Sequence, residues 1–245
     1  MHCMCPEPRS DSSAPARRPG RPPRPDNAAA RAKLLDVATG LFAAQGVAAT
    51  TLTHIAQRAG VTSAMVHYYF KSRDQLIDAV VEERILPVIG FVWSPVPQAQ
   101  DPAADPTAAV RAFITEVVGR LVQSAAERPW LPALWLHEVV NEGGQLRDRV
   151  LRHLPAERLQ TLIGLIAESQ RMGAITPGVE PRLVFLSILG LTLLPLATSS
   201  LWRRVLQDDA QAQSIDTRAI AAHAIAMLTG GLFSPSVSIS APPGR

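Results

Sequence analysis

The chain has 245 residues, 47% hydrophobic and 18% charged, enough to bury one large core or two modest ones. Its formal net charge is only +3 but is uneven: residues 1–80 hold ten Lys/Arg against six Asp/Glu, and the remainder fourteen against fifteen. A basic first third on a near-neutral body points to a polyanion met at one end, and two cysteines, Cys3 and Cys5, exclude a disulfide framework and a zinc site.

Residues 1–25 combine seven prolines with Arg9, Arg17, Arg18, Arg21 and Arg24. Such a segment cannot build a core and is expected to be disordered or extended. Its run RRPGRPPR resembles basic arms that lie in A·T-rich minor grooves; a solvated tail is the alternative. It lacks the apolar stretch of a signal peptide, so its thiols are expected to stay unpaired in a reducing cytoplasm.

The first helix is predicted from Asp26 or Asn27 to Gln45, with Leu34, Ala38, Leu41 and Phe42 on one face and Gly46 as its stop. Thr51 can cap a second helix carrying Leu52, Ile55, Ala56 and Ala59. Gly60 stops it, because glycine reaches left-handed backbone angles without steric cost. Thr62 can cap a third helix two residues later. Two short helices around such a turn form a helix-turn-helix, whose second helix enters the DNA major groove. Ser72-Arg-Asp-Gln75 fits a capping box, in which Ser72 and Gln75 satisfy each other's amides. It opens a helix with Leu76, Ile77, Val80, Val81 and Ile85 inward, kinked or ended by Pro87.

The Pro-rich loop SPVPQAQDPAADP, residues 94–106, marks a break in texture. Asp105-Pro106 then caps and opens a helix with Val110, Phe113, Ile114, Val117, Val118 and Leu121. Another begins near Pro129 and carries Leu131, Leu134, Trp135, Val139 and Val140; Gly143-Gly144 weakens it before a run to Leu154. Pro155 restarts a helix with Leu159, Leu162, Ile163, Ile166 and Ala167, capped by Gly173. Pro181 opens a long apolar helix ending near Leu206, and Asp216 caps a last one with Ile220, Ala224, Met227 and Leu228, stopped by Gly230-Gly231. No segment alternates with period two. The expected fold is all-α with about nine helices: a DNA-binding unit over 26–80, a helical body over 81–233 and a disordered tail over 234–245.

Leu183 to Trp202 is twenty residues without a charge, long enough to cross a bilayer. Pro195 interrupts it and five Ser/Thr dilute it, so a helix buried by its own core and a second subunit is the expectation, with a membrane-associated protein as the alternative. None of the six histidines falls in an H-E-x-x-H spacing, and there is no P-loop, dinucleotide fingerprint or G-x-S-x-G. No enzyme, metal or cofactor is expected.

Leu34-Leu35 with Ala38, Leu41-Phe42 and Gly46, then Thr51, Ile55-Ala56 and Ala59-Gly60-Val61, then Tyr68-Tyr69-Phe70, Arg73 and Leu76 together resemble the TetR/AcrR family of transcriptional regulators over residues 31–81. The resemblance implies that Ser63, Ala64, Met65, His67 and Tyr68 face the groove. Thr62 joins them at the start of that helix. Thr51, Tyr69, Lys71 and Arg73 are the phosphate candidates, which fix register rather than read sequence; core packing beside Phe70 is the alternative for Tyr69, and a solvated charge for Lys71. His67 stands where the family has Tyr, and Arg73 where it has Lys. The reading helix has no Arg or Asn, so modest discrimination per base, supplemented by DNA shape, is expected.

The same resemblance implies a ligand pocket in the body. Phe113, Trp130, Trp135, His137, Glu138 and Phe185 are its lining candidates, against ordinary core or surface; a buried Glu138 would need a partner. An apolar or aromatic effector suits that set. Residues 181–206 and 216–231 are the homodimer candidates. The expected protein is a ligand-responsive cytoplasmic regulator, a repressor that binds a palindromic operator of double-stranded DNA as a dimer and is released by a small, largely hydrophobic effector. A DNA-binding protein without an effector is the remaining alternative.

Overall fold

The computed structural model describes residues 27–96 and 105–233. The expectations for segment 1–25, for residues 97–104 of the Pro-rich loop and for 234–245 lie outside the described residues. Among those described, the fold is all-α, with a single isolated bridge between Ile175 and Phe233 in place of any strand.

The head consists of α1 (Asn27–Gln45), α2 (Leu52–Ala59), α3 (Ser63–Tyr69) and α4 (Arg73–Val80). Leu34, Leu35, Phe42, Ile55, Val66, Phe70, Leu76 and Ile77 are buried together in its core. Each such side chain contributes about 1.5–3 kcal/mol on burial, which orients the short helices that could not stand alone in water. Gly60 closes α2 at φ 72°, with Gly60 N–H donating to Gln57 O and Val61 N–H to Ala56 O. That pair of bonds satisfies the last carbonyls of α2 and turns the chain into α3.

Pro87 does not end the fourth helix. Val81–Ile85 form one π-helical turn, and α5 (Leu86–Val92) continues from it. The wider turn directly precedes Pro87, whose ring would clash with a carbonyl one α-turn back. The body continues with α6 (Pro106–Glu127), α7 (Leu131–Trp135), a second π turn (Leu136–Val140), α8 (Arg147–Leu151) and α9 (Ala156–Arg171). It is completed by a 3-10 turn (Pro181–Leu183), α10 (Val184–Ala197), α11 (Ser199–Val205), α12 (Ala210–Ser214) and α13 (Thr217–Leu232).

These thirteen α segments exceed the expected nine, and the long apolar helix accounts for part of the excess. It breaks at Thr198 and bends by 65°. Pro195 withholds an N–H from the helical ladder just before the break, and the Trp202 indole N–H donates to Pro195 O at 2.9 Å across the bend. No single helix among the described residues is long and apolar enough to cross a membrane; only Pro181–Ala197 and Ser199–Val205 taken together reach that length. Gly230-Gly231 likewise fail to stop α13, which runs on to Leu232.

In the body, α6 packs on α9, α10 and α13, α10 packs on α13, and α1 of the head packs on α7. Arg120, buried within α6, donates to Val92 O, Ser94 O and Pro95 O and pairs with Glu116 at 2.8 Å. One cation thereby satisfies the carbonyls that the end of α5 leaves open.

Candidate functional site

The helix-turn-helix is built by local capping. Thr51 Oγ1 accepts from His54 N–H at 3.1 Å and Thr62 Oγ1 from Met65 N–H at 3.3 Å, so each short helix has a capped start. With Val66 inward, α3 presents Ala64, His67 and Tyr68 to solvent and keeps Ser63 and Met65 half-exposed. Tyr68 is 72% exposed and meets Tyr69 edge-to-face at 5.1 Å. Tyr69 is half-buried, and its hydroxyl donates to Asn27 Oδ1 at 3.3 Å, which ties α3 to the start of α1. Thr51, Thr62 and Lys71 are exposed on the same unit.

Arg73 departs from expectation. It is half-buried and its guanidinium donates to Val47 O, with Nε buried and unpaired. The side chain expected at phosphate therefore braces the turn between α1 and α2. The capping box is also shifted: Ser72 Oγ accepts from Gln75 N–H at 3.1 Å, but Gln75 Oε1 accepts from Lys71 N–H at 3.2 Å, not from Ser72.

Glu138 is the second departure. It is 5% exposed, on the second π turn, and is not among the residues lining the body cavity. Its carboxylate accepts from Val47 N–H at 2.7 Å and from Gln145 N–H at 2.8 Å. Burial of a carboxylate requires such partners. Two glycines make room for it. Gly46 lies at φ 82°, and a Cβ there would sit 3.1 Å from Glu138 Oε1; a Cβ on Gly144 would come within 2.2 Å of Glu138 O. Val47 thus has its N–H held from the body and its carbonyl held by Arg73, immediately before the helix-turn-helix.

A cavity of about 510 Å³ lies beside this clamp. Trp135 and Phe185 line it, as expected, together with Ile89 of α5, Val139 and Val140 of the π turn, and Leu189 of α10. Phe113 instead lines a neighbouring hollow of about 630 Å³ with Arg158 and Leu162. Trp93 faces both and contacts the Phe185 and Phe113 rings at 4.7 and 5.8 Å. Trp130 is half-buried against the core and lines neither space, and His137 is exposed. Adjacency in sequence misleads there: His137, Glu138 and Val139 project from one turn in three directions.

Sequence reasoning passed over Trp93, Arg120 and Arg147. Trp93 follows the last full turn of α5, where helical periodicity runs out, and only its bulk and apolarity could have flagged it. The two arginines read as ordinary helix surface until their surroundings are known.

Residues 34–80 match the family described as bacterial regulatory proteins, tetR family, and residues 106–228 match the tetracyclin repressor-like C-terminal domain. The chain belongs to the TetR family. Its curated relatives are HTH-type transcriptional regulators. The HTH-type transcriptional regulator BetI of Rhizobium meliloti (strain 1021) is 31% identical over 56% of this chain and 64% of its own length. The HTH-type transcriptional repressor KstR2 of Rhodococcus jostii (strain RHA1) is 24% identical over 63% of this chain and 72% of its own. The chain thus spans somewhat under two thirds of the first of these relatives. Among solved structures, the ketosteroid transcriptional regulator KstR2 of Mycobacterium tuberculosis superposes with a TM-score of 0.58 at 15% identity, covering 84% of this chain and 95% of that one. NalD, the secondary repressor of the MexAB-OprM multidrug efflux pump in Pseudomonas aeruginosa, gives 0.55 at 22% identity, covering 85% and 98%. Both likenesses establish the TetR-type fold.

Proposed function

We propose that this TetR-family chain is a ligand-responsive repressor that binds a palindromic operator as a two-fold homodimer and leaves it when a small apolar effector occupies the body. The observation that carries the reading is the position of Glu138: it joins the turn that enters the helix-turn-helix to a π turn whose neighbouring residues Trp135, Val139 and Val140 line the cavity.

The reading assigns residues 26–80 to the head and 81–233 to the body. Ser63, Ala64, Met65, His67 and Tyr68 read base edges, with Thr62 beside them at the start of the helix, and Thr51 and Lys71 hold phosphates. Exposure of most of these side chains, and the capped start of α3, support that division. Tyr69 and Arg73 contribute through the turn and helix that they brace. Dimerisation uses α10 and α13, which pack together and leave Leu183, Leu186, Leu194 and Met227 exposed beside them. Unpartnered apolar side chains of this number on adjacent helices suit an isologous interface.

In the free dimer both heads sit at a spacing that fits successive major grooves. An effector that displaces the second π turn moves Glu138, and with it Val47 and the entry to α2. DNA and effector then weaken each other by the same factor. Selection of duplexes from a random pool by the purified protein, followed by footprinting, tests the first part. The expected result is an inverted repeat with both halves protected. Selection of a single unrepeated site, or of none, would sink the dimeric reading.

A further inference from the structure

We infer that the body cavity takes an anionic amphiphile, with its acidic group on Arg147 and its apolar body inside. The inference rests on the cavity being the effector site and names the chemical class of the effector.

Among the described residues, Arg147 is the only charged one in the lining, which is otherwise built from aliphatic and aromatic side chains. Its guanidinium makes one long hydrogen bond, to Val140 O at 3.3 Å, and has no carboxylate within ion-pair distance among the described residues. The contrast with Arg149, two residues on, is informative: that arginine is paired with Asp74 at 3.0 Å and Asp78 at 2.6 Å. Arg147 has no such acid, and half-buried beside apolar walls a guanidinium interacts with an anion more strongly than it would in water.

The placement also sets the direction of the ligand. Val140, Leu151 and Ala156 are exposed members of the lining, the first two at 56% and 47%, and mark the mouth; Ile85, Leu131 and Leu193 are 3% exposed or less and mark the floor. Arg147 stands in the chain between Val140 and Leu151, at the mouth. A carboxylate or similar planar anion can there accept two parallel guanidinium bonds while its apolar body descends past Trp135 and Phe185. The volume of about 510 Å³ suits a small molecule of this kind.

Three single-chain probes built on a ten-carbon chain with different heads test the idea: decanoate, decanol and decyltrimethylammonium. Each is titrated into the full chain, read by tryptophan fluorescence (Trp93 and Trp135 border the cavity) and by thermal shift. Decanoate is expected to bind about tenfold more tightly than decanol, the worth of one charge-assisted contact, with the cation weakest. Arg147→Gln is expected to bring decanoate down to decanol or below while leaving decanol unchanged, and Arg147→Lys to keep part of the preference. Equal binding of decanoate and decanol, or a preference that survives Arg147→Gln, overturns the inference while leaving the cavity reading intact. Failure of all three probes to bind removes both.

Discussion

The head has two sides, and they use polar groups in opposite ways. On the side facing the body, charges and amides are paired across the seam. Arg31 bonds Glu83 through both guanidinium nitrogens at 2.7 and 2.6 Å, Arg84 pairs with Asp36 at 2.8 Å, Arg149 with Asp74 and Asp78, and Glu138 with Val47 N–H. On the outward side, His67, Tyr68 and Lys71 are exposed and make no side-chain ion pair among the described residues. Polar groups on the seam fix where the head sits; polar groups left free outside are available to a polyanion. On the proposed function, the difference separates residues whose loss costs stability from residues whose loss costs only DNA binding.

The sharpest way to break the seam is Glu138→Ala. It strips the acceptor from the buried Val47 N–H and the half-buried Gln145 N–H, each orphan costing about 1–3 kcal/mol, the solvent-reachable one at the lower end. A loss of about 2–4 kcal/mol in denaturant unfolding is expected. Amide exchange should quicken at residues 46–50, where Val47 lies. Unchanged exchange there would show that the clamp does not hold the turn.

Gly144→Ala attacks the same clamp from behind. Its new methyl would collide with Glu138 O, a backbone atom that cannot swing aside, so about 1–3 kcal/mol of destabilisation is expected, measured by the same unfolding curves. A neutral result would mean that the 141–146 loop relaxes freely.

Lys71→Ala sharpens the comparison from the other side. Thermal stability should change by no more than about 0.5 kcal/mol, while the slope of log affinity against log salt falls by about one for each head. A lowered melting temperature with an unaltered slope would place Lys71 in the seam's class. The smallest effect is electrostatic. The Arg31 hydrogen bonds hold the Glu83 carboxyl below its usual range, so this pair stabilises the fold above the ordinary carboxylate pKa and is lost as pH falls through the lowered value. Both partners are partly exposed, so the contribution is below about 1 kcal/mol. Arg31→Ala should make stability fall less steeply on acidification from about pH 5 to about pH 3.

Caps and glycines carried most of what was legible beforehand. Thr51, Gly60, Thr62, Ser72, Asp105 and Asp216 all sit at helix ends, because capping is a bond between residues two to four apart and leaves its trace in local sequence. The apolar spacing of α1, α6 and α9 was legible for the same reason. Local pattern says less about the π turns before Pro87 and after Trp135, since a widened turn changes one bond register without changing residue type. The bend at Thr198 was half visible, as Pro195 announces a weak ladder but not the side to which the helix falls.

The sequence by itself determined the all-α fold, the helix-turn-helix and its capped helix starts, since each rests on short-range periodicity or hydrogen bonding. Only the tertiary structure decided what the isolated charges do. Arg73 turned inward to Val47, Glu138 clamped the head instead of lining the cavity, and Arg147 became the one cation among the described residues of an apolar cavity. The physical reason is the same in each case: the energy of a charge depends on which groups surround it, and those groups lie up to 91 residues away in the chain.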